Sequence, residues 1–157
     1  MKYYAYEEFV QDTKKLVELS DGFQADTLLA IARGGLTLGH FFAHAVDNRQ
    51  LFAINSILYE KEKKGSSCEI FNIPELHDAS KVLILDDIVD SGQTIKEVLD
   101  LLKKCFPHVE FKIASLFYKP SAVIQPDFYV HEAKEWIEFF WEKDCIVETS
   151  ALQSTKD

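Results

Sequence analysis

The sequence is poor in several features that mark special classes of protein. Its three cysteines, Cys68, Cys105 and Cys145, are odd in number and form no Cys-x-x-Cys pair, so neither a disulfide framework nor a thiolate zinc site is supported. We expect reduced and mostly buried thiols. No apolar run approaches the roughly 18 residues of a membrane span, and the opening residues lack the features of a secretory signal. The chain is therefore expected to stay in the cytoplasm.

Positive charge is also scarce. Seventeen Lys and Arg stand against 26 Asp and Glu, which leaves a net charge of -9 and argues against binding of nucleic acid or an anionic membrane surface. The sequence holds only two arginines, Arg33 and Arg49. An anionic ligand therefore needs a local binding site that does not depend on bulk positive charge.

What the sequence does contain is typical of one globular domain. The 157 residues are 47% hydrophobic and 13% aromatic, which is enough to bury a sizeable core and argues against disorder. There is no internal repeat, low-complexity tract or linker rich in proline and glycine. We expect a single domain over residues 1–157.

Strand-like and helix-like segments alternate along the chain. The apolar patterns predict strands at Thr27–Ala32, Leu51–Leu58, Lys81–Asp86, Phe111–Tyr118 and Phe128–His131. They predict helices at Glu7–Leu19, Leu36–Val46 and from Thr94 onward, the last because Thr94 and Glu97 fit a capping box. The polar stretch Tyr59–Glu69 is predicted to be a long exposed loop. This order predicts an α/β fold with a doubly wound, mostly parallel sheet flanked by helices.

The segment Val82–Thr94 carries the clearest chemistry. A buried strand delivers Asp86 and Asp87 to the edge of the sheet, and a helix begins after a short loop that contains Asp90 and Gly92. The first turn of a helix has free backbone N–H groups and a partial positive charge, so this unit can bind a phosphate.

A phosphate beside three carboxylates requires an explanation because like charges repel. Two such charges about 4 Å apart cost about 4 kcal/mol at an effective dielectric constant of 20. A phosphorylated sugar resolves the conflict: its phosphate lies on the helix N-terminus, while its hydroxyls, or a cation developing on its ring, face Asp86 and Asp87.

The same thirteen residues resemble the phosphoribosyl-pyrophosphate-binding motif of the type I phosphoribosyltransferases at every position. The run Ala32–Gly35 is similar to the pyrophosphate loop of that family. Lys119, Trp136–Glu138 and Trp141–Glu142 resemble the bacterial xanthine-guanine branch of the purine salvage enzymes. The likeness covers about residues 25–144 and implies a small C-terminal hood that binds the base.

The resemblance implies a role for each matching residue of the phosphate motif. Asp86 and Asp87 would hold the ribose 2- and 3-hydroxyls, and Asp90 would be the general base near purine N7. The 5-phosphate would be bound by the whole loop, which comprises Asp90, Ser91, Gly92, Gln93 and Thr94.

The resemblance also assigns residues outside that motif. Arg33 and Gly34 would contact the pyrophosphate, and Lys119 would donate to the 6-oxo group of the base. Trp136 would stack on the purine ring, while the backbone of Ile137 would read its edge. The implied substrates are phosphoribosyl pyrophosphate and a purine base, and the implied assembly is a homodimer or homotetramer.

Magnesium is the implied cofactor, since the leaving pyrophosphate is highly charged and the chain has few arginines. The ion would be held mostly by substrate oxygens, with Asp87 as its protein ligand. The loop Tyr59–Glu69 is the candidate lid that excludes water. It departs from the family pattern, because Leu58-Tyr59 replaces a Ser-Tyr pair and no arginine follows Arg49.

Two other functions remain open from the sequence. The altered lid fits a non-catalytic sensor of nucleotides or phosphoribosyl pyrophosphate. The spacing of Asp86, Asp87 and Asp90 also fits an acid-rich metal site on a helix, as in prenyl-diphosphate cyclases, although Val82–Leu85 favours a strand. Which 6-oxopurine the enzyme would prefer is left open by the sequence.

Overall fold

The computed structural model describes residues 1–61 and 65–148, and these form eight strands and four α-helices. In chain order, the elements are β1 (Lys2–Tyr4), α1 (Tyr6–Ser20), β2 (Thr27–Ala32), α2 (Leu36–Ala45), β3 (Leu51–Lys61), β4 (Gly65–Phe71), β5 (Lys81–Val89), α3 (Gln93–Cys105), β6 (Glu110–Tyr118), β7 (Phe128–Glu132), β8 (Ile137–Phe139) and α4 (Phe140–Lys143). A short 3-10 helix, Asp21–Phe23, follows α1.

Six of these strands form one sheet in the order β4-β3-β2-β5-β6-β7. The pairs from β3 to β7 are parallel, and β4 runs antiparallel at the edge beside β3. The fold prediction of a doubly wound, mostly parallel sheet is therefore confirmed. The chain order of the strands reverses at the centre, where β2 and β5 are neighbours, which is the position where such sheets bind ligands.

The central strands are buried on both faces, and this explains why their sequences are continuously apolar. Neighbouring residues of a strand point to opposite faces of the sheet. In β5, Leu83 and Leu85 pack in a core with α1 and α2, while Val82 and Ile84 pack in a second core with α3. Helices on both faces therefore fix β2 and β5 rigidly, and the loops at their carboxyl ends start from well-ordered positions.

The predicted strand at residues 27–32 has the observed bounds, whereas the prediction of a loop at Tyr59–Glu69 is wrong. Most of that stretch belongs to β3 and β4, which pair as an antiparallel hairpin with Leu58 opposite Cys68. Tyr59 and Glu69 also meet through their side chains, since the Tyr59 hydroxyl donates to Glu69 Oε2 at 3.3 Å. Alternating polar residues on an exposed edge hairpin resemble a loop because only one face is covered.

A second, two-stranded sheet was not predicted from the sequence. It pairs β1 with β8 in parallel, with Lys2 opposite Ile137 and Tyr4 opposite Phe139. The predicted C-terminal hood is therefore built partly from the opening residues of the chain. Three-residue strands give too short a periodic pattern to be recognised, and their pairing joins residues more than 130 positions apart.

The prediction of mostly buried thiols is also wrong. Cys105 and Cys145 are exposed and Cys68 is partly buried, and all three are free. Cys105 is the last residue of α3, and Cys145 follows α4, so both lie at element ends where solvent reaches the side chain. Among the described residues, no helix combines the length and apolarity that crossing a membrane requires.

Candidate active site

A cavity of about 420 Å³ opens at the carboxyl ends of β2 and β5. It brings together two segments that are far apart in the chain, the loop after β2 and the turn between β5 and α3. Its lining includes Arg33, Gly34, Ser56, Leu58, Asp86, Asp87, Asp90, Ser91, Gly92 and Thr94. Most of the predicted phosphate and sugar ligands therefore surround one space, as the parallel sheet requires.

Asp86 and Asp87 lie in the C-terminal half of β5 and line this cavity together. Asp87 is only 6% exposed, and burial raises its pKa to about 6. Burial and the adjacent charge of Asp87 raise the pKa of Asp86 well above its usual range. Two adjacent carboxylates with raised pKa values disfavour double ionisation, so hydroxyl donors or a cation in the cavity would stabilise their charged forms.

Backbone amides orient the two carboxylates. The Ile88 N–H donates to Asp87 Oδ1 at 2.8 Å, and the Asp87 N–H donates to Asp86 Oδ1 at 3.0 Å. Both acids lie on a strand, so the alternative of an acid-rich metal site on a helix is wrong. The apolar run before them is buried on both faces, which a strand in a parallel sheet explains.

The turn after β5 ends at the N-terminus of α3, one residue earlier than predicted. The helix begins at Gln93 with Gly92 as its N-cap, so the predicted start at Thr94 with a Thr94–Glu97 capping box is wrong. Gly92 has φ +79°, a left-handed conformation that a side chain would strain. Thr94 consequently falls in the first turn, where its hydroxyl lines the cavity beside the free helix amides.

Ser91 and Gln93 differ in how they meet the cavity. The Ser91 hydroxyl lines it and accepts a hydrogen bond from the Gln93 N–H at 3.2 Å. The Gln93 side chain instead donates to Glu97 Oε1 at 2.6 Å along the helix. Glu97, which was expected to cap Thr94, is therefore paired with Gln93.

The loop after β2 packs directly against the acidic pair. A Cβ atom at Gly34 would lie 2.6 Å from Asp87 Oδ2, so a side chain at this position would displace the Asp87 carboxylate. Arg33 is exposed, and the peptide bond between Ala32 and Arg33 is cis. The strand order thus places the chain's first arginine and the carboxylates of β5 at the same edge of the sheet.

A second cavity of about 690 Å³ shares Arg33 and Gly34 with the first. Its other lining residues are Leu36, Thr37, Trp141 and Glu142. Burial raises the pKa of Glu142 above its usual value, and the charge of Arg33 offsets only part of that rise. The family resemblance assigns no role to Glu142, and Thr37 is not among the predicted site residues. Thr37 lies in the first turn of α2, a signal that could have marked it as an anion contact.

Lys119 follows β6 and meets Asp90, which follows the neighbouring strand β5. Lys119 Nζ lies 2.7 Å from Asp90 Oδ1, and the Lys119 N–H donates to Val89 O at 2.9 Å. Both side chains are partly open to solvent. Two residues with complementary predicted roles, a base and a hydrogen-bond donor, are therefore adjacent at the mouth of the site.

Trp136 and Ile137 line neither cavity. Trp136 is 67% exposed and immediately precedes β8, while Ile137 is buried within β8. The Lys2 N–H donates to Trp136 O at 2.8 Å, which ties this segment to β1. The structure therefore does not bring the predicted base platform into contact with the phosphate and sugar site, and its role stays a prediction.

The donor set fits a hard divalent cation held only in part by the protein. Asp86, Asp87 and Glu142 offer carboxylate oxygens, which Mg²⁺ prefers, and burial raises the pKa of all three carboxyls. Within residues 1–61 and 65–148, no group of three or more His, Cys, Asp or Glu side chains is arranged to hold a metal ion. Substrate oxygens would have to complete the coordination.

The candidate lid is part of the β3–β4 hairpin. Ser56 and Leu58 of β3 line the cavity, on the same strand face two residues apart. Among the lysines of the candidate lid, Lys61 is the last residue of β3, and Lys63 and Lys64 lie outside the described residues. Leu58, which replaces the serine of the family's Ser-Tyr pair, therefore faces the site.

A doubly wound sheet with an acidic strand end, a helix N-terminus and a glycine loop at one cavity defines an α/β protein that binds a sugar phosphate. The family model described as a phosphoribosyl transferase domain matches residues 7–145. The chain belongs to this family, and the resemblance that rests on Val82–Thr94 is confirmed.

Solved structures of high similarity agree with this assignment. A xanthine-guanine-hypoxanthine phosphoribosyltransferase from Helicobacter pylori is 36% identical and has a TM-score of 0.85, with 99% of this chain and 97% of that chain covered. A purine phosphoribosyltransferase from Pyrococcus horikoshii is 30% identical and has a TM-score of 0.78, with 95% and 98% covered.

A curated relative is similar over almost the same length. The xanthine-guanine phosphoribosyltransferase of Ruegeria sp. (strain TM1040) is 27% identical over 152 residues, which cover 88% of this chain and 83% of that protein. The family match over residues 7–145 extends well beyond the phosphate motif and includes the C-terminal segment with Trp136 and Glu142.

Proposed function

We propose that this protein is a magnesium-dependent purine phosphoribosyltransferase. It transfers the 5-phosphoribosyl group from phosphoribosyl pyrophosphate to a 6-oxopurine, and the products are the nucleoside monophosphate and pyrophosphate. The observation that carries the proposal is the shared cavity of Arg33, Asp86, Asp87, Asp90 and Thr94. The names of the similar proteins support a purine as the acceptor.

The sugar donor is bound by the turn between β5 and α3. Its 5-phosphate accepts hydrogen bonds from the first-turn amides of α3 and from the hydroxyls of Ser91 and Thr94, and Gly92 and the Gln93 backbone shape the loop around it. Its ribose hydroxyls face Asp86 and Asp87. Arg33 and the Gly34 backbone contact the pyrophosphate from the loop after β2.

The acidic pair also stabilises the reaction. As the bond to pyrophosphate breaks, the ribose ring gains positive charge, and preorganised carboxylates nearby stabilise that charge. Burial raises the pKa of both carboxyls, so their ionised forms are stabilised by positive charge that lies or develops beside them.

Asp90 and Lys119 act on the base. Asp90 accepts the proton released near purine N7, and Lys119 donates to the 6-oxo oxygen. The two side chains form an ion pair, with Lys119 Nζ 2.7 Å from Asp90 Oδ1. An incoming oxopurine replaces that contact with one partner for each group, while Trp136 stacks on the ring and the Ile137 backbone reads its edge.

Magnesium, when bound, neutralises the charge of the departing pyrophosphate. Asp87 is the proposed protein ligand, and Glu142 offers a further carboxylate beside Arg33. The chain's own contribution is to orient these oxygens and to leave the remaining positions to substrate and water.

A direct assay tests the proposal. The protein is incubated with phosphoribosyl pyrophosphate, Mg²⁺ and labelled guanine, xanthine or hypoxanthine, and nucleoside monophosphate is separated from free base. We expect product with at least one base. Absence of nucleotide with all three bases would overturn the proposal, and calorimetric binding of the sugar donor under the same conditions would then favour the sensor alternative.

A further inference from the structure

The β1–β8 pair has little to hold it in place by itself. Two strands of three residues each form a sheet of marginal stability, so the position of this pair depends on what its side chains contact. Trp136 immediately precedes β8, and its carbonyl accepts a hydrogen bond from the Lys2 N–H. Any movement of β1 relative to the main sheet therefore moves the proposed base platform.

Tyr4 anchors β1 within the core. It is fully buried, and its ring makes edge contacts with Phe117 of β6 at 5.0 Å and with Phe139 of β8 at 5.6 Å between centroids. A phenylalanine would fill the same space equally well. The hydroxyl of Tyr4 is therefore the group that needs explanation.

That hydroxyl donates to Asp12 Oδ2 on α1. His131 Nε2 of β7 lies 2.9 Å from the same oxygen, and the His131 ring packs against Phe117 at 5.3 Å. Burial and the hydrogen bond to Asp12 raise the pKa of Tyr4 far above its usual range, so the hydroxyl remains a donor. One carboxylate oxygen thus joins β1, α1 and β7.

We infer that Tyr4, Asp12 and His131 are positioning residues that hold the β1–β8 pair, and with it Trp136 and Ile137, against the catalytic sheet. The inference rests on the proposed function, because it assigns the three residues to recognition of the base. The donor site lies on β2, β5 and α3, and none of the three residues belongs to those elements. Loss of the Tyr4 hydroxyl should therefore weaken binding of the base and leave binding of phosphoribosyl pyrophosphate unchanged.

The test compares Tyr4→Phe with Ser20→Ala. Both remove one hydroxyl from a buried residue, but the Ser20 hydroxyl donates to Leu16 O at the far end of α1. We expect Tyr4→Phe to raise KM for the purine about fivefold, because the platform loses part of the stabilisation of one hydrogen bond. Both kcat and KM for the donor should stay within about twofold of the wild-type values. Ser20→Ala should leave all three constants unchanged.

Hydrogen exchange supplies a readout that does not depend on turnover. Amides of residues 2–4 and 137–139 should exchange faster in Tyr4→Phe than in Ser20→Ala, and Asp12→Asn, which keeps an acceptor oxygen, should lie between Tyr4→Phe and wild type. Unchanged exchange, or equal increases in both KM values, would overturn the inference. If the wild type makes no nucleotide, the proposed function fails while the exchange comparison still decides whether the hydrogen bond between Tyr4 and Asp12 holds the pair.

Discussion

The turn between β5 and α3 and the β1–β8 pair are built in opposite ways. The turn takes its proposed ligands, Asp86 to Thr94, from nine consecutive residues, and its geometry follows from one strand end and one helix start. The β1–β8 pair joins residues 2–4 to residues 137–139 and depends on contacts from three other elements. Local sequence determines the turn between β5 and α3, whereas tertiary packing determines the position of the proposed base platform.

The largest effect should come from a single residue of the first region, Asp90. Asp90→Asn removes the proposed general base but keeps the size of the side chain. We expect kcat to fall about 100-fold or more, with affinity for phosphoribosyl pyrophosphate nearly unchanged, because general-base catalysis contributes on that scale. Single-turnover kinetics and calorimetry with the donor measure the two quantities separately.

Asp100→Asn is the matched control for that change. Asp100 is also an exposed acid next to a lysine, with Lys96 Nζ at 2.8 Å, and it lies on the outer face of α3. It should leave kcat unchanged. A similar loss in both variants would show that the decrease reflects charge or stability and not proton transfer at Asp90.

If the first region binds the donor and the second binds the base, substitutions in the two regions should change different Michaelis constants, KM for the donor and KM for the base. Trp136→Ala should raise KM for the base about 30-fold, since stacking a base on an aromatic ring contributes about 1–3 kcal/mol, and should leave KM for the donor unchanged. Thr94→Val should do the reverse, by about tenfold, because a hydroxyl bond to a charged phosphate is lost. Steady-state kinetics with each substrate varied in turn measures both.

Trp136→Phe sharpens this test because it keeps a stacking surface. It should restore most of the affinity for the base. If Trp136→Ala raised only KM for the donor, Trp136 would not bind the base. That result would contradict the proposed separation of the two regions.

The sequence predicted the first region well for a physical reason. A strand buried on both faces must be continuously apolar, as Val82–Leu85 is, and a helix N-terminus after Gly92 needs no distant partner to bind a phosphate. The predicted start of α3 at Thr94 was wrong by only one residue. A capping box at Thr94 and a glycine N-cap at Gly92 are both compatible with the sequence.

The second region was predicted only through family resemblance. Nothing local in Lys2–Tyr4 indicates a strand, and the partner segment at Ile137 lies at the other end of the chain. Glu142 was missed as a site residue for the same reason, because only the fold brings it beside Arg33. Residues that act through long-range contacts carry no signal in a single sequence.

The smallest expected effect concerns stability and separates Asp87 from Asp90 within the first region. Burial raises the pKa of Asp87 to about 6 from its ordinary value of 3.8. A raised pKa means that its contribution to stability is fully present below about pH 3.8 and is lost as the pH rises through about 6. Above that range, the ionised carboxylate makes the folded state less stable than a neutral side chain would.

Asp87→Asn should therefore stabilise the protein at pH 7.5 while impairing catalysis. We expect a gain of about 1–2 kcal/mol, which corresponds to a rise in Tm of a few degrees for a domain of this size, and a smaller gain at pH 4.5. Calorimetric melting at both pH values measures it, and Asp90→Asn, which alters an exposed acid of the same segment, should show no gain. Equal Tm values for Asp87→Asn and wild type at pH 7.5 would mean that Asp87 is already stabilised as a carboxylate by the fold, and the acidic pair would then have no unfavourable charge for a developing ribose cation to relieve.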